Sequence, residues 1–514
     1  MQKEMDMSVK KAASKDGVDR SIDYWVSIPA ILIVLGFAGA LFTNPEGMNI
    51  FMTDTFHFMN QNFGWMLLVF EFSCVGLCLY FAFGKYANKR FGDEKPDGST
   101  FSFYAMLFAY SSSASIVYWV FIEFYYYISG PPFGITPFSE EAVKWSMAYP
   151  VFHWGILGFS SYAIIGIALA FLLFVKKKDT SRVSAACESL IGAKRANGKL
   201  GKVIDCVFLV GIIFSNAGYS LAVSVPIVGT FFSKVFGVKH TLSLDVLILL
   251  VVVICMAIAM YTGLKKGMTL ISNARLFMFF GVAFFIFLVG NTSQYCNNIV
   301  ASTALWIQNF IPMSLNTSQW SQSWTIFYAL FFIASVLGGG QFYSKLCKGR
   351  TVRQCVLGIV LASSAGCAIF FWTMGNFALD TYLGDPAQYK ALVDQDAYSA
   401  ITYVIDQLPF SNLIMIILLF YAFVSAWTFI QSAVYGNALV SQPNLPANED
   451  PSKFTRLFWC VVTCILSIGF LYIGGIQTVK NAMVWAGYPA FVISLLIIGA
   501  FFRDIKTYWG DDTE

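Results

Sequence analysis

The sequence predicts an all-α integral membrane protein with twelve transmembrane helices. Three observations predict it. Hydrophobic residues make up 57% of the 514 residues and charged residues only 12%, against roughly 25% charge in average soluble chains. Apolar stretches of about 20 residues, each long enough to cross ~30 Å of hydrocarbon, recur from end to end. The Lys and Arg residues between them alternate between dense and sparse segments, as loops on opposite sides of a membrane do.

In order, the spans read as Trp25–Thr43, Phe63–Phe83, Phe103–Ile128, Val151–Val175, Val203–Phe232, Leu244–Tyr261, Met268–Gly290, Trp324–Tyr343, Val356–Phe377, Leu413–Tyr435, Leu457–Tyr472 and Ala482–Phe502. They leave tails at 1–24 and 503–514 around a membrane domain at 25–502. The first 24 residues are charged, so no cleavable signal peptide is read there. Of the 33 Lys and Arg, 27 fall in the two tails and the loops after the even-numbered spans. The other side holds only Lys144, Lys234, Lys239, Lys390 and Lys480, and Arg275 lies within the seventh span. This bias predicts an inner-membrane protein with both termini cytoplasmic. The 11 cysteines, several at i,i+4 spacing inside apolar helices, read as packing residues.

The third span organises the rest. Its segment Ser111–Gly134 opens with small residues, enters a dense aromatic block and stops at Pro131-Pro132. Glu123 sits in its outer half, where a carboxylate is costly unless it faces a partner or a cavity. Trp119, Glu123 and Tyr126 fall at i, i+4 and i+7, on one helix face. The fifth span is interrupted by Ser215–Ser220 and Pro226, which is tolerated where neighbours satisfy the freed backbone. Residues Gln294–Ser323 carry no charge, and about 296–312 within them reads as a helix along the outer surface. Asp380–Leu408 is a larger outer loop. The eighth span repeats the third in character, with aromatics in its outer half and Gly338-Gly339-Gly340 below them. Five spans separate the two, as in two inverted five-helix repeats with a binding site at their interface.

Aromatics reach comparable depth on the third span (Trp119 and Tyr125 to Tyr127), the fourth (Trp154, Phe159, Tyr162) and the eighth (Phe331, Phe332). A cage of such rings suits a methylated ammonium, which has no N–H to donate and is held by ring faces at up to ~2 kcal/mol per desolvated contact. An enzyme is not expected. The three histidines, His57, His153 and His240, read as lying in loops or at span edges, and there is no HExxH pair or nucleophile elbow. No cofactor, metal or nucleic-acid partner is expected either. A channel would more often use rings of carbonyls or charges.

The segments Trp119–Gly134 (WVFIEFYYYISGPPFG), His153–Tyr162 (HWGILGFSSY), Trp324–Tyr328 (WTIFY) and Lys348–Gln354 (KGRTVRQ) resemble the signatures of the betaine/choline/carnitine transporter (BCCT) family. The resemblance covers nearly the whole chain. It implies two N-terminal helices followed by inverted repeats at about 101–290 (spans three to seven) and 324–502 (spans eight to twelve). It also implies a homotrimer in the plasma membrane and a small quaternary-ammonium substrate in an aromatic box. By position the box maps to Tyr126, Trp154, Phe159, Tyr162, Phe331 and Phe332, with Trp119 close by. The family's double tryptophan is here Phe331-Phe332, and its next aromatic is Ser335, so the pocket is expected to be roomier near Ser335 and Gly338–Gly340.

For the driving ion, the run Ser111–Ser115 and the intramembrane Arg275 resemble the carnitine/γ-butyrobetaine exchanger branch. There an arginine stands where relatives bind sodium, and guanidinium stays protonated. The methionine of those exchangers is Gly339 here. The resemblance therefore implies sodium-independent exchange, with a sodium- or proton-coupled symporter of glycine betaine or choline as the alternative.

Overall fold

The computed structural model describes residues 19–110, 115–178, 180, 182–262, 265–445 and 449–510. Among them there is no strand, only an isolated antiparallel bridge between Arg90 and Thr351. The protein is all-α and multi-pass, and among the described residues ten helices are long and apolar enough to cross a membrane. The chain runs through α1 (Tyr24–Thr43), α2 (Pro45–Phe83), α3 (Thr100–Tyr110), α4 (Ile116–Ser129), α5 (Glu140–His153) and α6 (Ile156–Ala170). It continues through α7 (Lys199–Ser215), α8 (Ala222–Phe236), α9 (Leu242–Thr262), α10 (Lys265–Val289), α11 (Thr292–Gln308) and α12 (Thr325–Leu346). After a ninth span at Val352–Gly384 come α13 (Ser411–Ser441), α14 (Lys453–Ile473) and α15 (Gly475–Trp509).

Several spans begin earlier or end later than hydropathy predicts, because helices continue past the apolar run that marks them. α2 starts at Pro45, where Asn44 accepts from Gly47 N–H and proline suits the first turn. The fourth span starts at Glu140, capped by Ser139, so His153 lies inside a span and not at its edge. α15 starts at Gly475 and carries Lys480, which hydropathy places in an outer loop. The third span is described as two short helices, α3 and α4, and residues 111–114 between them, the greater part of the hydroxyl-rich run that ends at Ser115, lie outside the described residues. α11 leaves the preceding helix at 108°, and its bounds fall four residues before those expected for a surface helix.

The polar interruption of the fifth span is a π turn at Asn216–Leu221, and the ninth span has two more, at Gly358–Ala362 and Phe371–Gly375. Such turns shift side-chain register and recur at functional sites. In the segment Asp380–Leu408, expected as an outer loop, three short helices pack over α4. Buried Tyr389 there donates to the Phe121 carbonyl at 2.8 Å. The KGRTVRQ segment after the eighth span is a joint. Thr351 and Gln354 form a reciprocal capping box. Arg353 donates to the Ala82 carbonyl at 2.8 Å and Arg350 to that of Gly98 at 2.9 Å, which ties this segment to the end of α2 and the start of α3.

Spans four and eight make the most extensive helix–helix contact among the described residues, and small residues permit it. A Cβ on Gly158 would lie 2.5 Å from the Phe332 ring, and one on Gly339 2.0 Å from that of Tyr162. Gly338 has no neighbour within 4 Å of its virtual Cβ. We expect Gly339→Val to destabilise the protein by about 1–3 kcal/mol through overpacking. Gly338→Ala should be neutral or stabilise by up to about 1 kcal/mol, since alanine favours the helix. Thermal unfolding of the two variants in detergent measures the contrast.

Candidate substrate site

The site is built where the fourth span breaks. Pro150 removes a helical N–H, and α5 ends at His153. Gly155 restarts the helix, and it must be glycine because a Cβ there would lie 2.3 Å from the Val151 carbonyl oxygen. Two N–H groups at the break keep partners: Trp154 N–H bonds Pro150 O at 2.9 Å and Gly155 N–H bonds Phe152 O at 3.3 Å. It frees His153 and Trp154 to point in directions that a continuous helix would not allow.

Both turn towards Glu123, which is fully buried. Tyr127 O–H donates to Glu123 Oε1 at 2.6 Å, and Trp154 Nε1–H donates to Oε2 at 3.0 Å, shared with Tyr328 Oη at 3.2 Å. Behind Tyr127, His153 Nδ1 lies 2.9 Å from the Tyr127 hydroxyl, and His153 Nε2 lies 3.2 Å from Thr325 Oγ1. One proton arrangement satisfies the chain: Thr325 donates to Nε2, Nδ1–H to Tyr127, and Tyr127 to Glu123. Every donor thus points towards the carboxylate, as expected around a buried anion. Beside His153 a cavity of about 10 Å³, room for one water, is bordered by Glu71, Thr325 and Tyr328. A cation shares the layer. Lys480 Nζ lies 3.6 Å from the centre of the Trp324 ring.

Trp154 is the hub of the ring cluster. Its ring centre is 5.4 Å from Phe331, 5.7 Å from Tyr328, 6.0 Å from Phe371 and 6.4 Å from Phe332. Phe332 also meets Phe159 at 5.2 Å and Tyr162 at 5.8 Å. The π turn of the fifth span adds Tyr219, 4.2 Å from Phe331. A ligand entering this cluster would have to displace one of the touching rings. The hydrogen bond to Glu123 leaves the indole more electron-rich, which strengthens its face as a cation partner.

The family model described as the betaine/carnitine/choline family transporter matches residues 25–510. The chain belongs to the BCCT family. It is therefore a membrane transporter and not an enzyme, and the family implies secondary transport of betaine-, carnitine- or choline-type compounds.

In this BCCT transporter Trp154, Phe159, Tyr162, Phe331 and Phe332 lie in one cluster of touching rings. Trp119 joins its edge through Tyr328 at 5.9 Å. Tyr126 stands apart. It packs on Trp324 at 5.4 Å, shares a 2.7 Å hydrogen bond with Tyr118, and makes no ring contact with that cluster among the described residues. The expected extra room near Gly338–Gly340 is absent at two of the three glycines, because Tyr162 packs into the space left by Gly339, and Ile165 into that left by Gly340. Ser335 faces Ser215 of α7 at 3.2 Å. Arg275 reaches α13, where Nη1 donates to buried Ser425 and the guanidinium lies 5.8 Å from the Tyr421 ring centre.

Sequence reasoning missed His153, Tyr219, Tyr328, Glu71 and Lys480. The one usable signal was Glu71, a carboxylate within an apolar span as Glu123 is.

Two substitutions at Trp154 separate ring from N–H. Trp154→Ala should weaken binding of a trimethylammonium compound by about 2 kcal/mol. Trp154→Phe should keep part of that affinity yet lower stability by about 1–3 kcal/mol, since Glu123 Oε2 loses its donor. Ligand titration and thermal unfolding, read together, distinguish the two effects.

Proposed function

We propose that the chain exchanges quaternary-ammonium compounds of the carnitine type across the plasma membrane without sodium. In this reading it works by alternating access of two inverted five-helix repeats, spans three to seven and eight to twelve, after two N-terminal helices. Both termini lie in the cytoplasm, and the protein is a homotrimer. The aromatic cluster around Trp154 is the ammonium box, with Phe331 and Phe332 setting selectivity.

The observation that carries sodium independence is the place of Arg275. Its guanidinium does not extend to a helix end, as a snorkelling side chain does. It crosses to α13 and is held by Ser425 and the Tyr421 face. A permanent cation fixed between these helices supplies internally the charge that a bound sodium ion would bring, and it repels one.

Substrate exchange has a clear signature. Substrate-free proteoliposomes should accumulate little label, with or without an inward sodium gradient, while preloading with unlabelled γ-butyrobetaine or carnitine should accelerate entry. Arg275→Ala should lower exchange by roughly tenfold, and added sodium should restore part of it, because a small external cation can fill the place of the removed one. Strong sodium-driven uptake by the unmodified protein into empty vesicles would overturn the exchanger reading and favour a symporter.

A further inference from the structure

Lys480 is a charge that the reading so far does not use. It lies on α15 and is 5% exposed. Its ammonium sits 3.6 Å over the Trp324 ring and 5.5 Å from that of Phe327. Among the described residues no carboxylate lies within 4.0 Å of it. Glu123 is within electrostatic reach, but its two oxygens already accept from Tyr127 and Trp154. A buried ammonium parked on an aromatic face, with no anion in contact, retains donors for one.

Two further observations bear on what that anion is. The first is position. The ring cluster centres on Trp154 and Phe331, whereas Lys480 sits over Trp324 and Phe327 of the same helix α12. From Phe331 back to Phe327 is one turn, a rise of ~6 Å. A spacer of one to three carbons, at ~1.5 Å per bond, places a carboxylate about 3–6 Å from its ammonium. The second is charge. Glu123 and Lys480 place one acid and one base in the layer, a pair with no net charge whichever of the two holds the proton, on the Trp154 and Trp324 sides respectively. A zwitterion set along that pair, ammonium at Trp154 and carboxylate at Lys480, adds no net charge to the protein interior. A choline-type cation adds one, uncompensated in low dielectric.

We propose that Lys480 binds the carboxylate of zwitterionic ammonium substrates and is the residue that selects them over choline-type cations. The proposal rests on the ammonium-box reading and narrows its substrate class to betaines. On binding, Nζ slides from the Trp324 face onto the carboxylate, and the aromatic face holds the ammonium ready in the meantime.

The test compares glycine betaine and γ-butyrobetaine with choline and tetramethylammonium, by titration of purified protein. Lys480→Met should weaken the two betaines by about tenfold or more, the scale for losing one partner of a buried charge pair, and leave choline and tetramethylammonium within about threefold. Lys480→Arg should keep most of the preference. An equal loss for all four ligands, or an unchanged betaine-to-choline ratio, overturns the assignment. Should the methionine variant not fold, the unmodified protein answers with glycine betaine against its methyl ester, which keeps the ammonium and removes the carboxylate charge. The acid should bind about tenfold tighter or more, and equal binding overturns the proposal. Unmodified protein that binds none of these compounds would instead bring down the ammonium box, and the role of Lys480 with it.

Discussion

The buried carboxylate of Glu123 is the constraint on which the site depends. Removing an ionised carboxylate from water costs several kcal/mol unless donors replace the solvent. Tyr127 and Trp154 are those donors, at 2.6 and 3.0 Å, from the same helix and from the broken fourth span. Trp154 reaches the carboxylate only because the helix stops at His153 and resumes at Ile156. The orientation of the largest ring in the cluster is thus set by a hydrogen bond to an anion and not by packing alone. The same bond holds the indole 5.4 Å from the Phe331 ring and 6.4 Å from that of Phe332.

Irregular backbone contributes directly to this layer. The Pro150–Gly155 break and the π turns at Asn216–Leu221 and Phe371–Gly375 supply Trp154, Tyr219 and Phe371 to one ring cluster. At the fourth-span break the N–H groups of Trp154 and Gly155 find carbonyls of their own preceding turn, Pro150 and Phe152, so these donors stay paired at membrane depth. Regular helices meet where glycine removes side-chain bulk, as at Gly158 against Phe332 and Gly339 against Tyr162. Loose backbone at the site and tight packing next to it are compatible with a core that opens by parting helices while the helices themselves persist.

Charge in the interior follows a consistent scheme. Arg275 and Lys480 are both held by aromatic faces, those of Tyr421 and of Trp324. An aromatic face offers a partly desolvated cation a partner without introducing a second full charge. In the loop after the fourth span the pattern changes to direct ion pairs, such as Lys176 with Asp504 at 2.8 Å and Arg182 with Asp205 at 2.8 Å. These stitch the loop after the fourth span to α15 and to the start of α7.

The amino-acid sequence by itself determined that the chain is all-α and multi-pass, where most helices lie, and which family it belongs to. Those properties follow from local hydropathy and from contiguous motifs such as WVFIEFYYYISGPPFG, which require no knowledge of distant contacts. Helix ends were less legible. Amphipathic turns at Pro45–Asn62 and Gly475–Asn481 continue their helices beyond the apolar run, and that is why hydropathy puts Lys480 in a loop. Only the tertiary structure decided what surrounds Glu123, that Tyr126 faces Trp324 and not Trp154, and that Tyr219 and Tyr328 line the site. The bonds of His153 to Thr325 and of Trp154 to Tyr328 join residues 172 and 174 positions apart. Helical periodicity specifies the face a residue occupies on its own helix; which residue meets it across the interface depends on where both helices break and how closely their glycines let them approach.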